Sequence, residues 1–189
     1  MKWLLTILLI ASVLLITGCG GTEMKTAVFE TSLGTFELEL FTEQMPITTS
    51  NFIKLIEDGF YDNQKFHRII PGFMIQGGDP QTKDDSLSPA WGTGGPGYAI
   101  EDEFVDGLSN TRGTISMANS GPNSGGSQFF INLVDNTFLD WDKQPAQSKH
   151  PVFGKISSGM DVVDKIGTVQ RDSQDKPLEP VIIKKVTIK

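Results

Sequence analysis

Cysteine is nearly missing from this chain: Cys19 is the only one, so no internal disulfide can form. Histidine is almost as scarce, with His67 and His150 alone, and the two types together supply too few nitrogen and sulfur ligands for an ordinary zinc site. No block of lysine or arginine stands out among the 16 basic residues, and 23 acidic ones set the net charge at -7. A nucleic-acid phosphate backbone is therefore not an expected partner, and the acidity reads as a contribution to solubility. The longest apolar run, Trp3 to Ile16, falls short of the roughly 20 residues that cross a hydrocarbon core. No G-x-S-x-G is present, which removes the hydrolase nucleophile elbow. Gly92-Thr93-Gly94-Gly95-Pro96-Gly97 fits G-x-G-x-x-G in form only: no strand precedes it and a proline interrupts it, so it reads as a loop. Internal repeats and low-complexity segments are absent too. Neither a cofactor nor a metal is expected.

What is present is turn chemistry. Glycine at 20 and proline at 10 in 189 residues, with short apolar runs, describe a β-rich domain. Ala27–Thr31 and Thr35–Phe41 read as strands joined through Ser32-Leu33-Gly34. In the second, Phe36, Leu38 and Leu40 alternate with Thr35, Glu37 and Glu39, the pattern of a strand with one buried face. From Pro46 the period changes. Phe52, Leu55, Ile56 and Phe60 fall at helical spacing, with Thr48 or Thr49 as the expected N-cap. Lys65–Gln76 reads as a strand bent at Pro71-Gly72, and 79–97 as a long loop in which the Asp84-Asp85 pair is solvated. Further strands are expected at Thr114–Ala118, Gln128–Leu133, Val152–Ile156 and Val181–Ile188, with a short helix at Gly159–Ile166 whose Val162, Val163 and Ile166 point inward. Many antiparallel strands with two helices imply a barrel, since closure removes exposed edges.

The first residues form a separate object. Lys2, the apolar run and the small residues Thr17-Gly18 describe a secretory signal. Its end, Leu15-Ile16-Thr17-Gly18-Cys19, resembles the processing box of bacterial lipoproteins. That resemblance implies a signal peptide at 1–18, a lipid attached to Cys19, a tether over 19–25, and a domain at 26–189 held outside the cytoplasm on a membrane.

The segment Phe66-His67-Arg68-Ile69-Ile70-Pro71-Gly72-Phe73-Met74-Ile75-Gln76 places an arginine among apolar residues beside a bend. Alternation puts Phe66, Arg68 and Ile70 on one face, and the bend returns Phe73 and Gln76 toward Arg68, so its rigid fork of donors would stand over an apolar pocket. Together with Gly113–Ile131, which contains Met117-Ala118-Asn119-Ser120-Gly121-Pro122-Asn123-Ser124-Gly125-Gly126-Ser127-Gln128-Phe129-Phe130, this segment resembles the cyclophilin signatures. Met45–Phe52 and Val152-Phe153-Gly154 match as well, in the family's order, and the likeness spans about Ala27 to Ile188.

The resemblance implies a closed eight-stranded antiparallel barrel capped by two helices, with an active groove on its outer face, and peptidyl-prolyl cis-trans isomerase activity on proline-containing polypeptides. It maps the catalytic group onto Arg68, with Phe73 and Gln76 beside it. The proline pocket maps onto Phe73, Met74, Phe130 and Leu139. The remaining substrate contacts map onto Ala118, Asn119, Gln128 and His150, with His67 beside the groove. Many eukaryotic members carry tryptophan at the position of Phe138, so weak cyclosporin binding is expected here. Extra loop residues occupy 81–91 and 141–149. A proline-segment-binding chaperone module with little turnover is the alternative, and only the enzyme requires Arg68. A purely structural surface lipoprotein would leave the cluster unexplained. A monomer is expected.

Overall fold

The structure, a computed structural model, describes residues 24–143 and 149–189. The expected signal peptide, Cys19, most of the tether and the middle of the 141–149 loop lie outside the described residues.

Alternating residues form the first hairpin, β1 (Thr26–Thr31) and β2 (Gly34–Leu40), in which Phe29, Phe36, Leu38 and Leu40 are buried. Thr31 Oγ1 holds the two-residue turn by donating to Gly34 O (2.7 Å) and accepting the Leu33 N–H (3.1 Å). Gly34 lies at φ +141°, and a Cβ there would stand 2.8 Å from Val162 Cγ2, so only glycine lets the second helix seat against the hairpin.

Helix α1 (Pro46–Glu57) begins with proline at its first turn, where no N–H is needed, and buries Phe52, Leu55 and Ile56. Its N-terminus differs from expectation. Thr48 and Thr49 lie inside the helix and are buried, and Thr49 Oγ1 donates back to Met45 O. The free N–H groups of Ile47 and Thr48 donate instead to the Glu103 carboxylate, at 2.9 and 2.7 Å. A carboxylate at this end also meets the positive pole of the helix dipole.

The remaining elements are β3 (Gln64–Lys65), β4 (Arg68–Ile70), β5 (Met74–Gly77), β6 (Thr114–Met117), β7 (Phe129–Asn132), β8 (Val152–Ser158), α2 (Met160–Gly167) and β9 (Ile182–Ile188). All pairings are antiparallel, in one sheet of order β3-β9-β1-β2-β8-β6-β7-β5-β4. The sheet has nine strands, not eight in a closed ladder. Its two outermost strands, β3 and β4, are consecutive in the chain. Phe66 N–H donates to Val181 O (3.0 Å) while His67 N–H donates to Gln76 O (3.1 Å), so the backbone leaves one end of the sheet and joins the other within two residues. This crossing also breaks the alternation. Phe66 and Ile69 are both in the core and Arg68 is exposed, so Phe66 and Arg68 do not share a face.

Inside the curl, Phe52 of α1 meets Phe29, Tyr61, Phe129 and Phe153 with ring centroids 5.0–6.4 Å apart. Such pairs add about 0.5–1.5 kcal/mol each beyond the area they bury. From α2, Val163 and Ile166 enter the same core, while Val162 is half-buried against Gly34. The long loop after β5 is more ordered than expected: it makes 3-10 turns at Pro80–Lys83 and Asp85–Ala90. The Asp84-Asp85 pair is engaged rather than merely solvated, with Asp84 capping the second turn through Ser86 N–H and Asp85 pairing with Lys65.

Candidate active site

Strand register builds the site. Arg68 stands opposite Gln76 across β4–β5, Gln76 opposite Phe130 across β5–β7, and Phe130 opposite Ser116 across β7–β6. Directly opposed residues share a face, so Arg68, Gln76 and Phe130 line up on the side away from the aromatic core. Met74, two residues before Gln76, joins them. Met74, Phe130 and Leu139 form a small apolar cluster separate from the main one, edged by Ile70, Phe73 and Ala118. Between them lies a cavity of about 270 Å³ lined by Arg68, Phe73, Met74, Gln76, Ala118, Asn119, Phe130, Leu139 and His150. These nine all belong to the expected site set.

Three expected residues sit elsewhere. Gln128 lines a neighbouring cavity of about 470 Å³ that shares Gln76, Ala118 and Asn119 with the first. Phe138 stands on the rim, 56% exposed, its ring stacked on Phe73 at 6.0 Å. His67 is buried behind the groove wall, and neither ring nitrogen has a hydrogen-bond partner among the described residues. Burial pushes its pKa down to about 4, against a partial upward pull from Asp79. The crossing at residues 66–67 explains the difference: it turns His67 inward and Arg68 outward.

Electrostatics divide the groove into a charged lip and a neutral floor. Arg68 Nη1 lies 3.5 Å from Gln76 Oε1, and Gln76 Nε2 donates to Gln128 Oε1 at 3.0 Å. His150 packs edge-on against Phe130 at 5.2 Å, and its Nδ1 lies 3.1 Å from Met117 O. A carbonyl only accepts, so Nδ1 carries the proton. Burial is the main cause holding the His150 pKa below its usual value, so the ring is neutral at pH 7.

A buried polar network supports the apolar floor. The Asp140 carboxylate accepts from Ser109 Oγ (2.6 Å), Asn110 N–H (2.7 Å) and Asn110 Nδ2 (2.9 Å). Asn110 Oδ1 in turn accepts from Ser116 Oγ, and Asn136 Nδ2 donates to Asn132 Oδ1 and to Phe73 O. These bonds fix the backbone that carries Leu139 and Phe73. Sequence reading missed this network and the groove wall formed by Gly92–Gly95, Pro96 and Tyr98. The glycine run at 92–97 is the sequence signal for the wall, although it lacks the flanks of a dinucleotide site. For the network, only Asn132, set between Ile131 and Leu133, carries a local signal, because Asn110 and Asn136 stand among polar neighbours.

Among the described residues lining the cavity of about 270 Å³ there is no serine, cysteine or lysine, and the arrangement can hold a small apolar ring under a guanidinium. Residues 26–188 match the family model described as cyclophilin type peptidyl-prolyl cis-trans isomerase. The chain is 44% identical over 167 residues to peptidyl-prolyl cis-trans isomerase-like 1 of Gibberella zeae, covering 85% of this chain and 93% of that one. Against the protein of the same name from Aspergillus fumigatus the identity is 45% over 162 residues, covering 82% and 90%. A crystal structure of a Cryptosporidium parvum cyclophilin type peptidyl-prolyl cis-trans isomerase superposes with a TM-score of 0.76 at 32% identity, over 88% of this chain and 98% of that one. A second crystal structure of that protein, determined in the presence of the dipeptide Ala-Pro, gives 0.74. The chain belongs to the cyclophilin-type peptidyl-prolyl cis-trans isomerase family.

Proposed function

We propose that the Arg68 groove carries the isomerase activity, with the proline ring of the substrate in the cavity of Phe73, Met74, Phe130 and Leu139. The observation that supports this most is one exposed guanidinium at the mouth of a cavity of about 270 Å³ whose floor is the apolar cluster of Met74, Phe130 and Leu139. The relative determined in the presence of Ala-Pro is consistent with such a ligand.

An amide resists rotation because the nitrogen lone pair is shared with the carbonyl, giving a barrier of about 18–20 kcal/mol. Before proline the two isomers are close in energy but exchange in tens of seconds or more. No bond needs to break. The enzyme needs only to bind the twisted amide better than either planar form. With the ring gripped, the preceding carbonyl turns while the Asn119 backbone holds the chain. Arg68 donates toward the proline nitrogen, whose lone pair localises as the amide twists, and Gln76 steadies the guanidinium. A gain of about 10⁵ requires roughly 7 kcal/mol of differential stabilisation. A charge-assisted bond of about 2–3 kcal/mol with preorganised orientation supplies a large part of it.

The test compares exchange rate, peptide affinity and melting temperature in two variants. Arg68 is exposed, so Arg68→Ala opens no core cavity and is expected to shift stability by no more than about 1 kcal/mol. Turnover should fall about 10²–10³-fold, with much less change in affinity. Phe130→Ala empties the pocket and should weaken binding and turnover together. A well-folded Arg68→Ala protein with most of the parent's rate would defeat this assignment.

The same reading places the enzyme outside the cytoplasm, attached through a lipid on Cys19. What supports it is the apolar run Trp3–Ile16 followed by Leu15-Ile16-Thr17-Gly18-Cys19, all lying before the family match that starts at residue 26.

A further inference from the structure

The loop at 81–91 ends on Trp91, which touches both the sheet crossing at Lys65 and the start of the groove wall at Gly92. On the side away from the groove, two ammonium groups lie over the Trp91 ring, with Lys176 Nζ 4.2 Å and Lys65 Nζ 5.1 Å from its centroid. Lys65 belongs to β3 at the sheet crossing, and Lys176 to the segment before β9. Both are themselves held by the loop, Lys65 by Asp85 and Lys176 by Ser88 Oγ. Trp91 Nε1 lies within hydrogen-bonding distance of Gln81 O (3.0 Å) and Asp84 O (3.2 Å), which ties the ring to both 3-10 turns. A half-buried tryptophan with two cations within cation–π range of its ring and its indole N–H engaged is held in place.

On the groove side, the next residues form the wall. The buried Asp79 carboxylate accepts the N–H groups of Gly92 (2.5 Å) and Gly94 (3.1 Å). A Cβ on Gly94 would come within 2.1 Å of Asp79 Oδ1, so the close approach needs glycine. The carbonyls of Gly92 and Gly94 both accept from Gln128 Nε2, at 3.0 and 2.8 Å.

These two carbonyls decide the orientation of everything beyond them. A carboxamide can present either its oxygen or its NH₂ to a neighbour, but two carbonyls can pair only with the NH₂. Gln128 therefore turns its oxygen to Gln76 Nε2 (3.0 Å), and Gln76 turns its oxygen to Arg68 Nη1 (3.5 Å). A flip of Gln128 would place oxygen against oxygen at both glycines and break the order of donors and acceptors up to Arg68.

We propose that Trp91 is a positioning residue of the isomerase: held by Lys65, Lys176 and its indole N–H contacts, it fixes the Gly92 and Gly94 carbonyls, which orient Gln128, Gln76 and finally Arg68. The proposal rests on the assignment of Arg68 to catalysis. It gives the extra loop a role in turnover although Trp91 itself does not line the substrate cavity.

The experiment measures kcat and KM on an Xaa-Pro peptide by NMR exchange, with melting temperature, for Trp91→Ala, Gln128→Ala and the double variant. Trp91→Ala should lower kcat about tenfold and move KM by no more than about twofold. In the Gln128→Ala background the same substitution should cost almost nothing, because the relay is already cut; independent, multiplying losses would overturn the proposal. If Trp91→Ala melts far below the parent, Trp91→Phe replaces it. That variant keeps an aromatic ring beside the lysines and loses the indole N–H contacts, and a smaller kcat loss of about threefold, again abolished with Gln128→Ala, is expected. The side-chain amide resonances of Gln128 and Gln76 and the guanidinium signals of Arg68 should shift in the free Trp91→Ala protein. Unchanged resonances would refute the coupling even if the parent proved inactive, in which case the activity assignment would fail separately.

Discussion

His67 and Arg68 are neighbours in the chain with opposite fates, one sealed behind the groove and one presented to it. Because burial pushes the His67 pKa from 6.5 down to about 4, the unfolded chain binds a proton there over a pH range in which the folded protein does not. Stability is then complete above about pH 6.5 and falls as pH drops, with the loss levelling off below about 4. A shift of this size corresponds to roughly 3 kcal/mol. Asp79 opposes the shift and Arg68 adds to it, so both belong in the comparison. Denaturant titrations at pH 7 and pH 4.5 should show a smaller difference for His67→Gln, which does not titrate, than for the parent. Equal differences would show that another group carries the acid sensitivity. Phe138 is the other single residue with its own consequence. Its exposed ring stacks on Phe73 and, unlike an indole, offers no N–H to a ligand. Cyclosporin affinity should be weaker by about 10–200-fold, the equivalent of about 1–3 kcal/mol, and Phe138→Trp should recover part of it. Tight inhibition of the parent with no gain in the variant would count against this.

Elements were most legible where they depend on local pattern. The β1–β2 hairpin, α1 and α2 follow from alternation, helical spacing and turn residues, because a face buried in the main core imposes its period on the sequence. Seven of the nine pocket residues lie in the two long motifs and were legible through them jointly. Leu139 and His150 came only from the family resemblance outside those motifs, and each of Met74, Phe130 and Leu139 reads singly as core. What stayed hidden depends on partners far away in sequence. The parity break at Phe66-His67 comes from a change of partner strand, from Val181 to Gln76, and leaves no local mark. The cap of α1 is another such case, because Glu103 lies more than 50 residues from the amides it accepts. Replacing it leaves two amides at the positive end of the helix dipole without their acceptor. Glu103→Ala should cost about 1 kcal/mol and lower the melting temperature by about 2–4 °C, and Glu103→Gln should cost less. Turnover should be unchanged, because Glu103 lines neither groove cavity. A melting temperature equal to the parent's in Glu103→Ala would show that solvent replaces the cap without loss.

For the molecule as a whole, the family domain and the segment before it obey different physics. The domain from residue 26 is held by its own sheet: Thr26 N–H donates to Lys189 O and Lys189 N–H to Thr26 O, both at 2.9 Å, so its two ends are pinned side by side. Just before Thr26, Lys25 O accepts the Leu40 N–H at 2.9 Å, so the described chain already joins the sheet at residue 25. The sole cysteine stands directly after Leu15-Ile16-Thr17-Gly18, where a lipid would attach. Two or more acyl chains make such attachment stable, whereas a single chain is marginal. Cys19→Ser should therefore yield a protein that is either released in soluble form or left with its leader uncleaved, with isomerase activity per folded molecule equal to the parent's. Fractionation of cells making each version, with intact-mass measurement of the N-terminal peptide, checks the point. The parent should carry acyl mass on a peptide beginning at Cys19. A Cys19→Ser protein that has lost its leader and still sediments with membranes as the parent does would end the anchor assignment, and it would leave the isomerase assignment intact.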